Sequence, residues 1–103
     1  MLKKKVVSHG AAKKQLHVSW SGRVQGVGFR YTAESVALTV GLTGWVRNLP
    51  DGRVEAVAEG TEKDLKSFLE QIAAGPMRVH IRHRSVDWEK PTGEFNDFRI
   101  KFF

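Results

Sequence analysis

Residues 15–41 read QLHVSWSGRVQGVGFRYTAESVALTVG, and two hydrophobic periods meet inside that stretch. Leu16, Val18 and Trp20 alternate with His17, Ser19 and Ser21, which predicts a half-buried strand from Gln15 to about Val24. Past the glycines, Phe29, Ala33, Val36, Ala37 and Val40 fall at helical spacing, and Gly41 supplies the stop. A strand that runs through glycines straight into a helix is the opening of a βα unit. The joint between them carries Gly26, Gly28 and Arg30 and almost nothing that could act as a nucleophile. Three uses are open for it: a tight turn, a cradle for an anion, or a contact with nucleic acid.

Working outward, residues 42–49 (LTGWVRNL) and 53–60 (RVEAVAEG) flank Pro50-Asp51-Gly52 and read as a β-hairpin. Thr61 caps a second helix, with Glu62 and Asp64 suited to its positive N-terminal end. Leu65, Phe68, Leu69, Ile72 and Ala73 form its apolar stripe, and Gly75-Pro76 ends it. Val79 and Ile81 begin a fourth strand; Val86 and Trp88 have the other parity, so a bulge or register change is expected near Arg84. After a turn at Pro91–Gly93, Phe98, Ile100 and Phe102 alternate as a short added strand. The order is βαββαβ plus that C-terminal strand. Two helices that must both bury a stripe against one sheet predict an α+β sandwich of the ferredoxin-like kind, mostly antiparallel, with both helices on one face. The first crossover should be right-handed.

A chain of 103 residues, 41% hydrophobic, supports one domain with a single core. No window has the apolar length of a membrane span. With no cysteine, disulfides and thiolate chemistry are excluded, which suits a reducing compartment and a cytoplasmic location. The net charge of +6 is unevenly placed. Residues 1–14 hold five lysines and no acid, leaving twelve basic and eleven acidic residues, or +1, for residues 15–103. The basicity therefore belongs to a leader of residues 1–14. It lacks the apolar core of a secretory signal and is acid-poor in the manner of an organelle presequence, but reads best as a disordered, solvated tail before a domain at 15–103.

On residue chemistry alone, the joint lies where a strand ends and a helix begins. Backbone amides there lack intrahelical acceptors, and the helix dipole is positive. Gly26 and Gly28 let successive amides curl round an anion, and Arg30 can add a planar fork matched to phosphate oxygens. The plain alternative is a compact turn beside a solvated arginine, and the two stand even. Asn48 ends the second strand, whose C-terminal end should share an edge of the sheet with the joint; by spacing alone it reads as turn chemistry. Asp51, Glu55, Glu59, Glu62 and Asp64 are scattered, and His80 and His83 fall on opposite faces of the expected strand, so no metal set is indicated. Ser19, Ser21 and Ser35 have no evident His–Asp partners. Trp20, Trp45 and Trp88 read as packing.

GRVQGVGFR, followed after a helix by GWVRNLPDGRVEAVAEG, closely resembles the two signature segments of the acylphosphatases, and the similarity spans nearly all of residues 15–103. The resemblance implies the same ferredoxin-like fold and hydrolysis of carboxyl phosphates to carboxylate and phosphate. It implies that Arg30 binds the phosphoryl group, that Asn48 orients the attacking water, and that the substrate is held along Gln25, Gly26, Val27, Gly28, Phe29 and Arg30. No cofactor or metal is called for, phosphate or sulfate should occupy the cradle, and a monomer without nucleic-acid or membrane partners is expected. Leu49 departs from the family, many of whose members carry a hydroxyl residue there.

Two other readings compete. An RNA-recognition module shares the sandwich, but its glycine–aromatic segment lies on a central strand, with rings exposed for stacking. A non-enzymatic regulatory domain is also conceivable; the presence of both Arg30 and Asn48 argues for an active enzyme.

Overall fold

The computed structural model describes residues 12–102. The first strand, β1, runs Lys13–Gly22. It starts two residues before the alternation of apolar side chains becomes visible, because Lys13 and Lys14 pair across to Thr61 and Gly60 through main-chain groups that any residue supplies. The remainder of the expected leader, residues 1–11, lies outside the described residues. β1 also stops earlier than expected. A Cβ on Gly22 would stand 2.3 Å from the His80 carbonyl oxygen and 2.8 Å from the Arg82 nitrogen, so only glycine lets two backbones approach so closely here. Val24 is fully buried all the same, inserted from the loop and not from the strand.

The remaining elements are α1 (Phe29–Val40), β2 (Thr43–Asn48), β3 (Val54–Thr61), α2 (Glu62–Ala74), a 3-10 turn (Pro76–His80), β4 (Ile81–Glu89) and β5 (Phe98–Lys101). The strands lie in the order β4-β1-β3-β2-β5. β5 runs parallel to β2, and every other pairing is antiparallel. Both helices pack on one face and against each other. Ala33 and Ala37 of α1, and Leu65, Phe68, Leu69 and Ile72 of α2, meet Leu16, Val18, Trp20, Val54, Ala56 and Ala58 of the sheet. This is the ferredoxin-like sandwich that the alternating periods predict. α2 begins as expected, with the Thr61 hydroxyl accepting from the Asp64 amide at 3.2 Å.

Val79 and Ala73 depart from expectation, whereas the register change falls close to Arg84, where the change of parity predicts it. Val79 does not open β4: Pro76 starts a 3-10 turn that carries Val79 to the surface at 70% exposure, and the strand begins at Ile81. The change of register falls opposite the Ser21/Gly22 step, where Ile81 and His83 pair and Arg82 is left over, two residues before Arg84. That extra residue moves Val86 onto the side that meets Val18 of β1. Ala73, assigned to the apolar stripe of α2, is exposed.

An aromatic chain fixes the end of β1 to the start of α1. The Trp20 ring lies 4.9 Å from that of Phe29 and 6.2 Å from that of Phe68, which in turn lies 6.2 Å from Phe98. Such pairs add about 0.5–1.5 kcal/mol each beyond the area they bury. Because Phe29 is the first residue of α1, the joint that precedes it is anchored at both ends in the core.

On the opposite face, Glu59 is only 5% exposed. Its carboxylate accepts from the Thr92 amide (2.7 Å), the Gln15 carboxamide (2.8 Å), the Gly93 amide (3.0 Å) and the Thr92 hydroxyl (3.0 Å). Burial pushes its pKa up, but those donors outweigh burial and hold it below the ordinary value of 4.5. A depressed folded pKa means stabilisation that is complete above the ordinary value and disappears as pH falls through the folded one. Glu59→Gln should therefore cost on the order of 1–3 kcal/mol near pH 7 in urea unfolding and much less near pH 3. An equal cost at both pH values would contradict this.

Candidate active site

Between β1 and α1 the chain passes through Gly26 and Gly28, whose φ angles are 78° and 85°. Both are left-handed, a region that other residues enter only under strain, and neither would bring a Cβ within 4 Å of any atom. The backbone is thus curled, yet open on its outer side. Gly28 is the N-cap of α1 and provides no side-chain acceptor. The first amide to find a carbonyl is that of Thr32, which donates to Gly28 O at 3.0 Å. Residues 25–28 coil as a turn, and among the described residues no amide from Gln25 to Tyr31 makes a well-formed main-chain hydrogen bond. Free N–H groups, a positive helix end and no acid in the first turn of α1 make a hollow suited to an anion.

The side chains of the loop do different work from its amides. Phe29 is buried and Val27 packs against the core, so each presents only its main chain outward. Gln25 turns inward as well: its Nε2 donates to Leu49 O at 2.8 Å and to Arg53 O at 2.9 Å. Those two carbonyls belong to the hairpin turn joining β2 to β3, itself closed by Leu49 N–H to Arg53 O (2.8 Å) and Gly52 N–H to Leu49 O (3.1 Å). Gln25 therefore straps the loop to the hairpin and is not free to hold a ligand with its side chain.

That strap decides where Asn48 sits. Asn48 closes β2, opposite Val54 and adjacent to Leu49. Since β3 alone separates β2 from β1, the topology brings Asn48 beside the loop. Its Oδ1 is buried and has no hydrogen-bond partner among the described residues. An orphaned acceptor costs about 1–3 kcal/mol, which a bound water could relieve.

Arg30 projects from the first turn of α1. Its Nη1 donates to Lys101 O at 3.4 Å, and its guanidinium carbon stands 4.9 Å from the centre of the Phe102 ring. β5 and the residue after it thus support the arginine from below. The closing alternation marks that strand in the sequence, but nothing local tells that it ends under an arginine 71 residues earlier. A groove of about 650 Å³ lies between β2, β5 and residues 94–97, and no residue from Gln25 to Arg30 lines it. The loop itself remains the better candidate, because an anion held by main-chain donors needs no deep walls. Among the described residues no three His, Asp or Glu side chains gather as metal ligands.

A family model described as acylphosphatase matches residues 16–100. The acylphosphatase of Roseiflexus sp. (strain RS-1) is 50% identical over 84 residues, covering 82% of this chain and 90% of that one. The acylphosphatase of Trichormus variabilis is 47% identical, covering 84% and 85%. The crystal structure of acylphosphatase from Bacillus subtilis superposes with a TM-score of 0.79 at 40% identity, covering 85% of this chain and 98% of its own.

The left-handed cap gives a direct check on the loop. Gly28→Ala meets no clash, so only backbone strain should act, lowering stability by about 1–2 kcal/mol in thermal unfolding. A change of a few tenths would mean that the curl is not enforced.

Proposed function

The chain belongs to the acylphosphatase family, enzymes that hydrolyse acyl phosphates, and on that premise we propose that it cleaves the carboxyl-phosphate bond in the Gly26–Arg30 loop, without a metal. Three non-bridging oxygens of the phosphoryl group accept from the loop amides, and Arg30 supplies a permanent positive fork. Asn48 holds the water that attacks phosphorus in line with the departing oxygen. The observation that carries this reading is the buried, unpartnered Oδ1 of Asn48 beside a loop of unpaired amides.

The chemistry asks for few groups. The leaving carboxylate has a pKa of about 4, so it departs without a proton and needs no general acid. The phosphorus–oxygen bond to the acyl group breaks with its electron pair going to the carboxylate, while the water oxygen bonds to phosphorus. R–CO–OPO₃²⁻ and H₂O become R–COO⁻ and H₂PO₄⁻, the proton lost by the water ending on a phosphoryl oxygen of the substrate itself. The transition state is loose, so the protein's task is placement and charge stabilisation. A carboxamide suits the water because it can accept from it without the charge that would repel a dianion. To meet that water, the Asn48 amide turns about its soft terminal torsion toward the loop. Leu49 removes a hydroxyl that many relatives offer at that point; its carbonyl, held by Gln25, does the positioning.

One chain supplies every group invoked, so a monomer suffices for the proposed reaction. The cytoplasm suits a cysteine-free chain, and no helix of the described residues is long and apolar enough to cross a membrane.

Hydrolysis of benzoyl phosphate with EDTA present tests the assignment. Arg30→Gln should lose about a hundred- to a thousandfold in kcat/KM, and Asn48→Ala a similar factor in kcat with phosphate inhibition retained. Near-normal turnover by Asn48→Ala would remove that residue from the mechanism, and full loss of wild-type activity in EDTA would overturn metal independence.

A further inference from the structure

From Gln71 to Val86 the chain has no acidic residue, yet it carries Arg78, His80, Arg82, His83 and Arg84. The three arginines are exposed, and none forms an ion pair among the described residues, whereas Arg47, Arg53 and Arg99 each lie on a carboxylate. Arg78 and Arg84 line one hollow of about 350 Å³, with Trp20, Ala73 and Ile81 as its other walls. That volume is at the small end of what binds a ligand, and two guanidinium forks over an apolar floor match a carboxylate or phosphate on a short carbon stem.

The hollow is rigidly joined to the loop. The Arg23 amide donates to His80 O at 2.9 Å, and Gly22 packs directly on His80 and Arg82. Trp20, one wall of the hollow, touches Phe29 at the start of α1. Direction also matters. In the order β4-β1-β3-β2-β5, Asn48 stands on the β2 side of the loop and the arginines on the β4 side. In-line displacement requires water and leaving oxygen on opposite sides of phosphorus. With the water on Asn48, the acyl group points toward β1 and β4. β4 is the strand next to β1, so the lateral step from the end of β1 to the arginines is one strand spacing of about 4.8 Å, which a short acyl chain and an arginine side chain close between them.

We propose that Arg78 and Arg84 form a second, cationic subsite for the acyl portion, and that the enzyme selects acyl phosphates whose acyl group ends in another anionic group. This rests on the hydrolase reading and on Asn48 as the holder of the water.

The test compares butanoyl phosphate with 3-carboxypropanoyl phosphate, equal in length and differing by the terminal carboxylate, on the full chain. The wild type should favour the carboxylated substrate in kcat/KM by a factor on the order of five at low salt, falling toward unity at high salt. Arg78→Gln/Arg84→Gln should abolish the preference while leaving butanoyl phosphate turnover within about twofold, and Arg78→Lys/Arg84→Lys should keep part of it. An unchanged preference in the Gln variant overturns the subsite, as does a wild type with no salt-sensitive preference, a result independent of how the variants fold. Failure to hydrolyse butanoyl phosphate at all would instead strike the hydrolase reading itself.

Discussion

Two hydrogen bonds from one carboxamide hold this end of the molecule together. Gln25 Nε2 donates to the carbonyls of Leu49 and Arg53, and by doing so fastens the glycine loop to the hairpin that joins β2 to β3. Without that strap, Gly26 and Gly28 would leave the backbone with several accessible conformations and the amides would not converge. With it, the main chain between two buried residues, Val24 and Phe29, has little freedom left. Preorganisation of this sort is what gives donor groups their catalytic value, because no reorientation remains to be done as charge develops.

The core serves the same end. Trp20 and Phe29 pack at a tilt across the joint, while Phe68 and Phe98 extend the contact to α2 and β5. β5 in turn ends where its last carbonyl and the following ring meet Arg30. The guanidinium is therefore placed by two routes, through its own helix and through the far edge of the sheet. On the outer face, the four donors converging on Glu59 clasp the segment that leads into β5. Fold stability and site geometry depend here on the same contacts.

Much of this was legible in the chain. Alternation at Leu16, Val18 and Trp20, the helical spacing from Phe29 to Val40 and the Thr61 cap gave the element order, and the order implied the sandwich. The signature segments gave the family. What stayed hidden was non-local or purely main-chain. Lys13 and Lys14 join β1 through backbone pairing that side-chain pattern does not encode. Val79 looks like a strand residue until Pro76 imposes a tighter turn. The extra residue at Arg82 shows in the sequence as a change of parity, but its place depends on Gly22 meeting His80. Gln25 reads as a substrate contact by position, and only the fold reveals that its side chain is spent on the hairpin. Lys101 and Phe102, far from Arg30 along the chain, carry no local sign of their role.

The proposed function requires that main-chain amides between Gly26 and Arg30 grip a tetrahedral oxyanion. Titration of the ¹⁵N-labelled protein with inorganic phosphate, followed by amide chemical shifts, reads this directly. The amides of Gly26 to Arg30 should shift together along one saturating curve, with the Asn48 side-chain amide moving in step. Saturating shifts confined to some other surface, or a loop that stays silent while phosphate inhibits hydrolysis, would contradict it.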